Sequence, residues 1–428
     1  MIRTCIVYLL AGVSFALGCG SGTEGRVPKG AQVAASDKAR LTVDELPDAR
    51  VHELAEGNAE FAGDLYAELL DDDRNLFFSP HSISTALAMA YAGARNNTAA
   101  QMKSTLHFEL NDAEIHPSFN ALDQELATRG KNAQGKDGEP FRLHIVNQAW
   151  GQRDFVFRPD YLDTLAAHYG AGLYLLDFAS NAEESRLAIN DWVADMTEDR
   201  ISDLLAPGII TPATQLVLTN AVYFNAAWAT PFRQEQTLSE DFTTLAGDVV
   251  EVPMMHQTEA LRYAESDAWQ AVELPYDGDE LAMLVLLPKE DAFPQIEQDV
   301  SAHLREAIDG LAGHTVNVAM PRFKFTLQAR LREPLMALGM TDAFGAADFS
   351  GMSDMGGFAI QDVVHQAFVS VDEAGTEAAA ATAVIMWRVS FPIADKELLL
   401  NRPFIFAIRD NATGAILFLG RVTNPAQE

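Results

Sequence analysis

The stretch from Asp372 to Ser390, DEAGTEAAAATAVIMWRVS, constrains this chain more than any other. Its residues are too small for an ordinary core strand and too uncharged for an ordinary solvent loop. A strand-like run, Phe368-Val369-Ser370-Val371, leads into it. The apolar run Leu398-Leu399-Leu400, continuing through Pro403-Phe404-Ile405-Phe406, follows it. The connection between them is long for a compact domain, and connections of that length usually carry function. As a strand, the stretch would alternate its side chains between two faces. Glu377 would take the solvent face, leaving Thr376, Ala378, Ala380, Thr382, Val384 and Met386 on the opposite face without a charge among them. Gly375 supplies backbone freedom where such a segment would bend, and no proline interrupts a ladder until Pro392. Taken alone, the same residues also suit a surface helix, since alanine and glutamate favour helices, or a flexible linker.

The rest of the chain supplies the elements such a strand would join. Leu54, Phe61, Leu65 and Leu69 form one helical stripe. Ser79-Pro80 then gives an N-cap followed by proline at the first helical position, with Ile83, Ala86, Leu87, Ala90, Tyr91 and Ala94 as the next apolar face. Asn147-Gln148-Ala149-Trp150-Gly151 ends a strand, and Ile189, Trp192, Val193 and Met196 repeat at helical spacing. Leu216 to Phe224 is nearly all apolar, as in a strand buried on both faces, yet it contains Asn220, which needs partners there. Val316 to Phe323 alternates like a half-buried strand. Phe404 to Ile408, a turn at Asp410-Asn411 and Ile416 to Val422 read as a closing hairpin.

The formal charge is 30 minus 61, or −31, with no basic cluster along the chain. That balance argues against a nucleic-acid partner and against a heparin-like polyanion. Residues 1–18 carry Arg3, then the apolar run Ile6 to Leu17, too short for a membrane span and ending in small residues. They read as a secretory signal peptide and resemble a bacterial lipoprotein signal, which implies lipidation at Cys19. An ordinarily cleaved or uncleaved signal is the alternative. Residues 19–48, beginning Gly20-Ser21-Gly22-Thr23-Glu24-Gly25, read as a flexible tether. Cys5 leaves with the signal and Cys19 would carry lipid, so the mature domain has no cysteine pair to bridge.

Glu373 to Thr382 resembles the reactive-centre loop hinge of inhibitory serpins, Glu-x-Gly-Thr-Glu-Ala-Ala-Ala-Ala-Thr, and further family matches run in order from about residue 50 to Pro425. Asn75 to Ser84 matches the serpin Asn-x-Phe-Phe-Ser-Pro-x-Ser-Ile-Ser motif. Leu338-Gly339-Met340 and Ala347 to Gly351 match as well. The resemblance implies an α+β fold, one large domain over 49–428 with a main mixed β-sheet, further sheets, eight or nine helices and an exposed reactive-centre loop at about 373–396. It implies a shutter of Ser79, Ser82, Asn220 and His365 where the main sheet opens, and a breach of Trp228, Arg322 and Glu373 where the loop first enters. It implies hinge roles for Glu373, Gly375, Thr376, Ala378, Ala380 and Thr382.

By the same resemblance the chain is a suicide inhibitor, not an enzyme. A serine protease, or a cysteine protease, cleaves the loop, the acyl bond holds, and the freed hinge side inserts as a strand. The bond falls between Val389 and Ser390, for an elastase-like or subtilisin-like target. Between Arg388 and Val389 it would suit a trypsin-like one. A serpin-fold binding or chaperone-like protein is the alternative function; such relatives tend to carry bulky, charged or proline residues in the hinge, which this hinge lacks. No cofactor, no metal and a monomer are implied, with location at the cell envelope through a lipid anchor, or secretion. Catalytic motifs fail on inspection: there is no Gly-x-Ser-x-Gly elbow and no phosphate loop. His52-Glu53 begins a zinc-protease motif, but Glu56 stands where the second histidine must be.

Overall fold

The structure, a computed structural model, describes residues 27–47, 49–71, 73–131, 133, 142–376 and 393–427. The near-continuous apolar run at Leu216 forms the strand Leu216–Ala227, buried along most of its length. Val217 and Ala221 face a smaller cluster with Trp150, Ile189, Trp192 and Val193, while Leu218, Val222 and Phe224 face the main core. Such double burial is why this strand shows no apolar–polar alternation. It lies in a seven-stranded sheet of order Gln32–Ala34, Leu173–Leu176, Arg142–Gln152, Leu216–Ala227, Gly375–Thr376, Ile360–Asp372 and Phe323–Arg330. Leu216–Ala227 and Ile360–Asp372 also pair directly and in parallel, from Leu216 with Ile360 to Tyr223 with Phe368.

A nine-stranded sheet runs Lys396–Leu399, Ala312–Pro321, Val249–Glu265, Trp269–Pro275, Leu281–Pro288, Phe404–Asp410, Ile416–Val422 and Leu76–Phe78, with Leu238–Thr243 beside Val249–Glu265. The closing hairpin is present, Phe404–Asp410 pairing antiparallel with Ile416–Val422. The apolar run read as continuous from Leu398 to Phe406 divides at Asn401-Arg402-Pro403 into two strands that pair in different parts of this sheet. Nine α-helices occur among the described residues. The helix Pro80–Tyr91 packs between the sheets, against Leu216–Ala227, Arg142–Gln152 and Ile416–Val422. The α+β architecture in one large domain is as expected.

The described part of the segment read as a flexible tether, 27–47, is docked on the body. Gln32–Ala34 pairs antiparallel with Leu173–Leu176. Arg153 donates to the Gly30 carbonyl at 2.7 Å, Lys38 pairs with Asp163 at 2.9 Å, and Arg40 bonds Asn120 at 2.7 Å and Asp123 at 2.6 Å. Backbone pairing needs no apolar side chains, so a polar sequence can add a strand to a sheet edge. Trypsin should therefore cut after Lys38 and Arg40 far more slowly than in a free peptide. Asp123→Ala removes a partly exposed ion pair worth about 1 kcal/mol, so cleavage after Arg40 should quicken about fivefold as local opening becomes easier. Wild-type cleavage at the free-peptide rate would contradict docking.

Candidate functional site: the seam of the main sheet

The sequence places polar side chains at one level on three neighbouring strands. Asn147 is register partner of Asn220, and Asn220 of His365. All lie over the start of the helix Pro80–Tyr91. Ser79 caps that helix, its hydroxyl accepting from Ser82 N–H at 3.2 Å and donating to the Leu417 carbonyl at 2.7 Å. Capping accounts for Ser79, as expected, and leaves Ser82 free for another task. The Ser82 hydroxyl donates to Asn147 Oδ1 at 3.1 Å and accepts from Asn220 Nδ2, which also donates to Asn147 Oδ1.

His365 completes the cluster. Its Nε2 faces the Ser79 backbone N–H at 3.3 Å and must accept there, so the proton sits on Nδ1 and is donated to Asn220 Oδ1. The ring is wholly buried, and burial pushes its pKa down to about 3. A second proton would set two donors face to face at Ser79. Because the Ser79 hydroxyl is engaged with Leu417, there is no serine–imidazole nucleophile here. The structure brings together all four expected shutter residues, and Asn147, not expected from sequence, joins them.

At the end of the seam beyond Tyr223, the hinge has entered the sheet. Gly375–Thr376 pairs with Ala226 and Ala227 on one side and with Val371 and Asp372 on the other, antiparallel to both. Residues 373–376, expected to begin an exposed loop, are instead buried. At Gly375 any Cβ would overlap the Ala226 carbonyl oxygen, so only glycine permits this approach. Thr376 is fully buried, as the face assignment requires, and its hydroxyl is 2.8 Å from the Tyr276 hydroxyl. Tyr276 stacks on Trp228 with ring centroids 4.7 Å apart. Trp228 Nε1 donates to the Asp372 carbonyl at 3.0 Å, and Trp228 N–H to that of Ala374 at 2.9 Å.

Arg322 reaches Glu373 as expected, with Nε donating to Oε1 at 2.8 Å, and Thr237 donates to the same oxygen. Burial alone would raise the Glu373 carboxyl; the bonds from Arg322 and Thr237 outweigh it and hold the group below its usual range. Tyr276 and Thr237, to which the sequence did not point, join Trp228, Arg322 and Glu373 in this contact. Ala378, Ala380, Thr382, Arg388, Val389, Ser390 and Cys19 lie outside the described residues.

An unfolded histidine titrates near 6.5, while His365 stays neutral down to about 3. The folded state therefore binds fewer protons than the unfolded one between these values, and stability falls as pH drops below about 6.5. Buried His81 and half-buried His116, each pushed down to about 4 by loss of water around the ring, act in the same direction. Between pH 6.5 and 5, His365→Gln should reduce the slope of unfolding free energy with pH by up to about 1.4 kcal/mol per unit. Denaturant titrations across this range measure it, and an unchanged slope would contradict the neutral buried imidazole.

A family model described as "Serpin (serine protease inhibitor)" matches residues 56–425. An uncharacterized serpin-like protein of Thermococcus kodakarensis is 43% identical over 392 residues, 89% of each chain. The leukocyte elastase inhibitors of Sus scrofa and Homo sapiens are 39% and 37% identical over 389 residues, 88% of this chain and all of theirs. Among solved structures, tengpin, a thermophilic serpin in its native state, superposes with a TM-score of 0.79 at 30% identity, covering 92% of this chain and all of its own. Uncleaved ovalbumin gives 0.77 at 27% identity, over 87% of this chain and all of its own. With the seam, its clasp and the entered hinge in place, the chain belongs to the serpin family of serine protease inhibitors.

Proposed function

We propose that this serpin is a covalent-trapping inhibitor of a serine protease, working by loop cleavage and strand insertion. The observation that carries the reading is the position of Gly375–Thr376, already a two-residue strand between Leu216–Ala227 and Ile360–Asp372. The strand that must grow is begun, in the antiparallel sense, at the open end of a seam still closed below. Continuing it exchanges one slanted parallel ladder for two antiparallel ones, the better-aligned arrangement. The uncharged residues Ala378, Ala380 and Thr382 that follow Thr376 at period two can all be buried. The protease acts at Val389–Ser390, for an elastase-like or subtilisin-like target, with Arg388–Val389 and a trypsin-like target as the rival bond. The chain works as a monomer, exported and held at the cell envelope through lipid on Cys19.

Incubation with a protease panel should yield complexes that survive boiling in detergent. Mass spectrometry of the released C-terminal fragment should find it starting at Ser390. A fragment starting at Val389 would move the bond, and cleavage without any stable complex would contradict inhibition.

Thr376 faces inward, so Thr376→Arg asks the sheet to bury a cation at the first step of insertion, at a cost of several kcal/mol. Insertion then lags behind deacylation, and the variant should be cut at the same bond but release active protease. Glu377→Arg puts the same charge on the opposite face and should leave inhibition within about twofold of wild type. Titrating residual protease activity compares them, and equal inhibition by the two variants would contradict insertion.

A further inference from the structure

We infer that the docked arm fixes how the anchored molecule stands on a bilayer, with the pole opposite the hinge against the lipid and the reactive loop held away from it. The inference rests on the lipid-anchor reading of Cys19. It follows from register. Gln32 pairs with Leu175, Leu175 with Gly151 and Gly151 with Leu216, whereas Thr376 pairs with Ala226. The arm and the hinge are thus ten residues apart along the Leu216–Ala227 strand, or ~33 Å at the usual strand rise.

From Cys19 to Val27, the first described residue, there are eight residue steps. They cannot span more than ~28 Å. A free tether from Cys19 to Ala49 would reach ~100 Å and would leave orientation unset. Docking of 27–47 removes most of that freedom.

The surface at this pole fits the occupant. The turns following Gln152 and preceding Ile360 meet there: Ser353 donates to the Val156 carbonyl at 2.8 Å, and Arg153 reaches the arm at Gly30 at 2.7 Å. Val27 is 50% exposed, Val33 51%, Val156 71% and Met355 44%. Of the ten large apolar side chains exposed among the described residues, Val27 and Val33 lie on the arm and Val156 and Met355 at the pole it leaves, while the strongly exposed Ile393, Val249 and Leu238 lie elsewhere. Exposed Lys29 lies beside them. Asp154 and Asp354 are also exposed, the latter paired with Arg158 at 2.5 Å, so this face has no net attraction for anionic lipid. Attachment at Cys19 brings the pole to the bilayer, and the apolar side chains settle into its headgroup layer.

The test uses the lipidated full-length chain on phosphatidylcholine vesicles containing headgroup-nitroxide lipid. A fluorophore is placed on Met355→Cys at this pole or on Thr230→Cys, exposed beside the breach at the other. With Cys19 lipidated and Cys5 removed with the signal, each label is unique. In chain that floats with the vesicles, the label at 355 should be quenched at least threefold more than the label at 230. Equal or reversed quenching in floating chain would overturn the orientation while leaving the anchor intact. Failure of the chain to float would overturn the anchor, and the orientation with it.

Discussion

The hydrogen bond from His365 to Asn220 crosses the seam between Leu216–Ala227 and Ile360–Asp372, the seam that the proposed strand insertion would part. On its Asn220 side it is continued to Asn147 and Ser82, and on its His365 side to the Ser79 backbone, so three strands and a helix start are tied at a single level. Ser79, Ser82, Asn220 and His365 are buried and Asn147 half-buried, and a buried polar atom deprived of its partner costs about 1 to 3 kcal/mol. Parting the seam without filling it is therefore unfavourable at this point. An incoming strand brings its own backbone donors and acceptors, which changes the balance. Under the proposed mechanism the clasp would restrain opening of the directly paired lower seam, and it does so with neutral side chains, because the imidazole is held in one tautomer by the Ser79 N–H.

The contacts around Glu373 and Trp228 would do the complementary task. Glu373, fixed by Arg322 and Thr237, sets where the chain turns after Asp372, and Trp228 holds that turn through the Asp372 and Ala374 carbonyls. Gly375 then permits a backbone approach that no side chain would allow, and Thr376 seals the entry on Tyr276. Register and face are consequently set before any further residue enters. A one-residue slip would turn Glu377 inward, which the sheet could not accept without a partner.

How much of this was legible in sequence differs by residue for physical reasons. Asn220 stood out because a polar side chain in a doubly buried apolar run must have partners, and composition marked Leu216 to Phe224 and only the end, Phe368 to Val371, of the strand Ile360–Asp372. Asn147 did not stand out, because its role depends on which residue of a neighbouring strand it opposes, and cross-strand register is not written in either strand alone. Tyr276 and Thr237 were missed for the same reason: a tyrosine at a strand end and a threonine in a loop are ordinary until the hinge is laid beside them. The arm at 27–47 was misread because edge pairing through backbone groups leaves no apolar signature. The depth to which the hinge enters was also hidden, since small uncharged residues suit a loop and a strand equally.

The central claim is that the seam is held short of a more stable arrangement, reached when the hinge strand is free to run on past Thr376. Thermal unfolding of the intact chain and of chain nicked once within residues 377–392 measures this directly. Release of stored strain predicts a clearly higher midpoint for the nicked protein, although a cut in an ordinary surface loop lowers stability or leaves it unchanged. An unchanged or lowered midpoint would contradict the account.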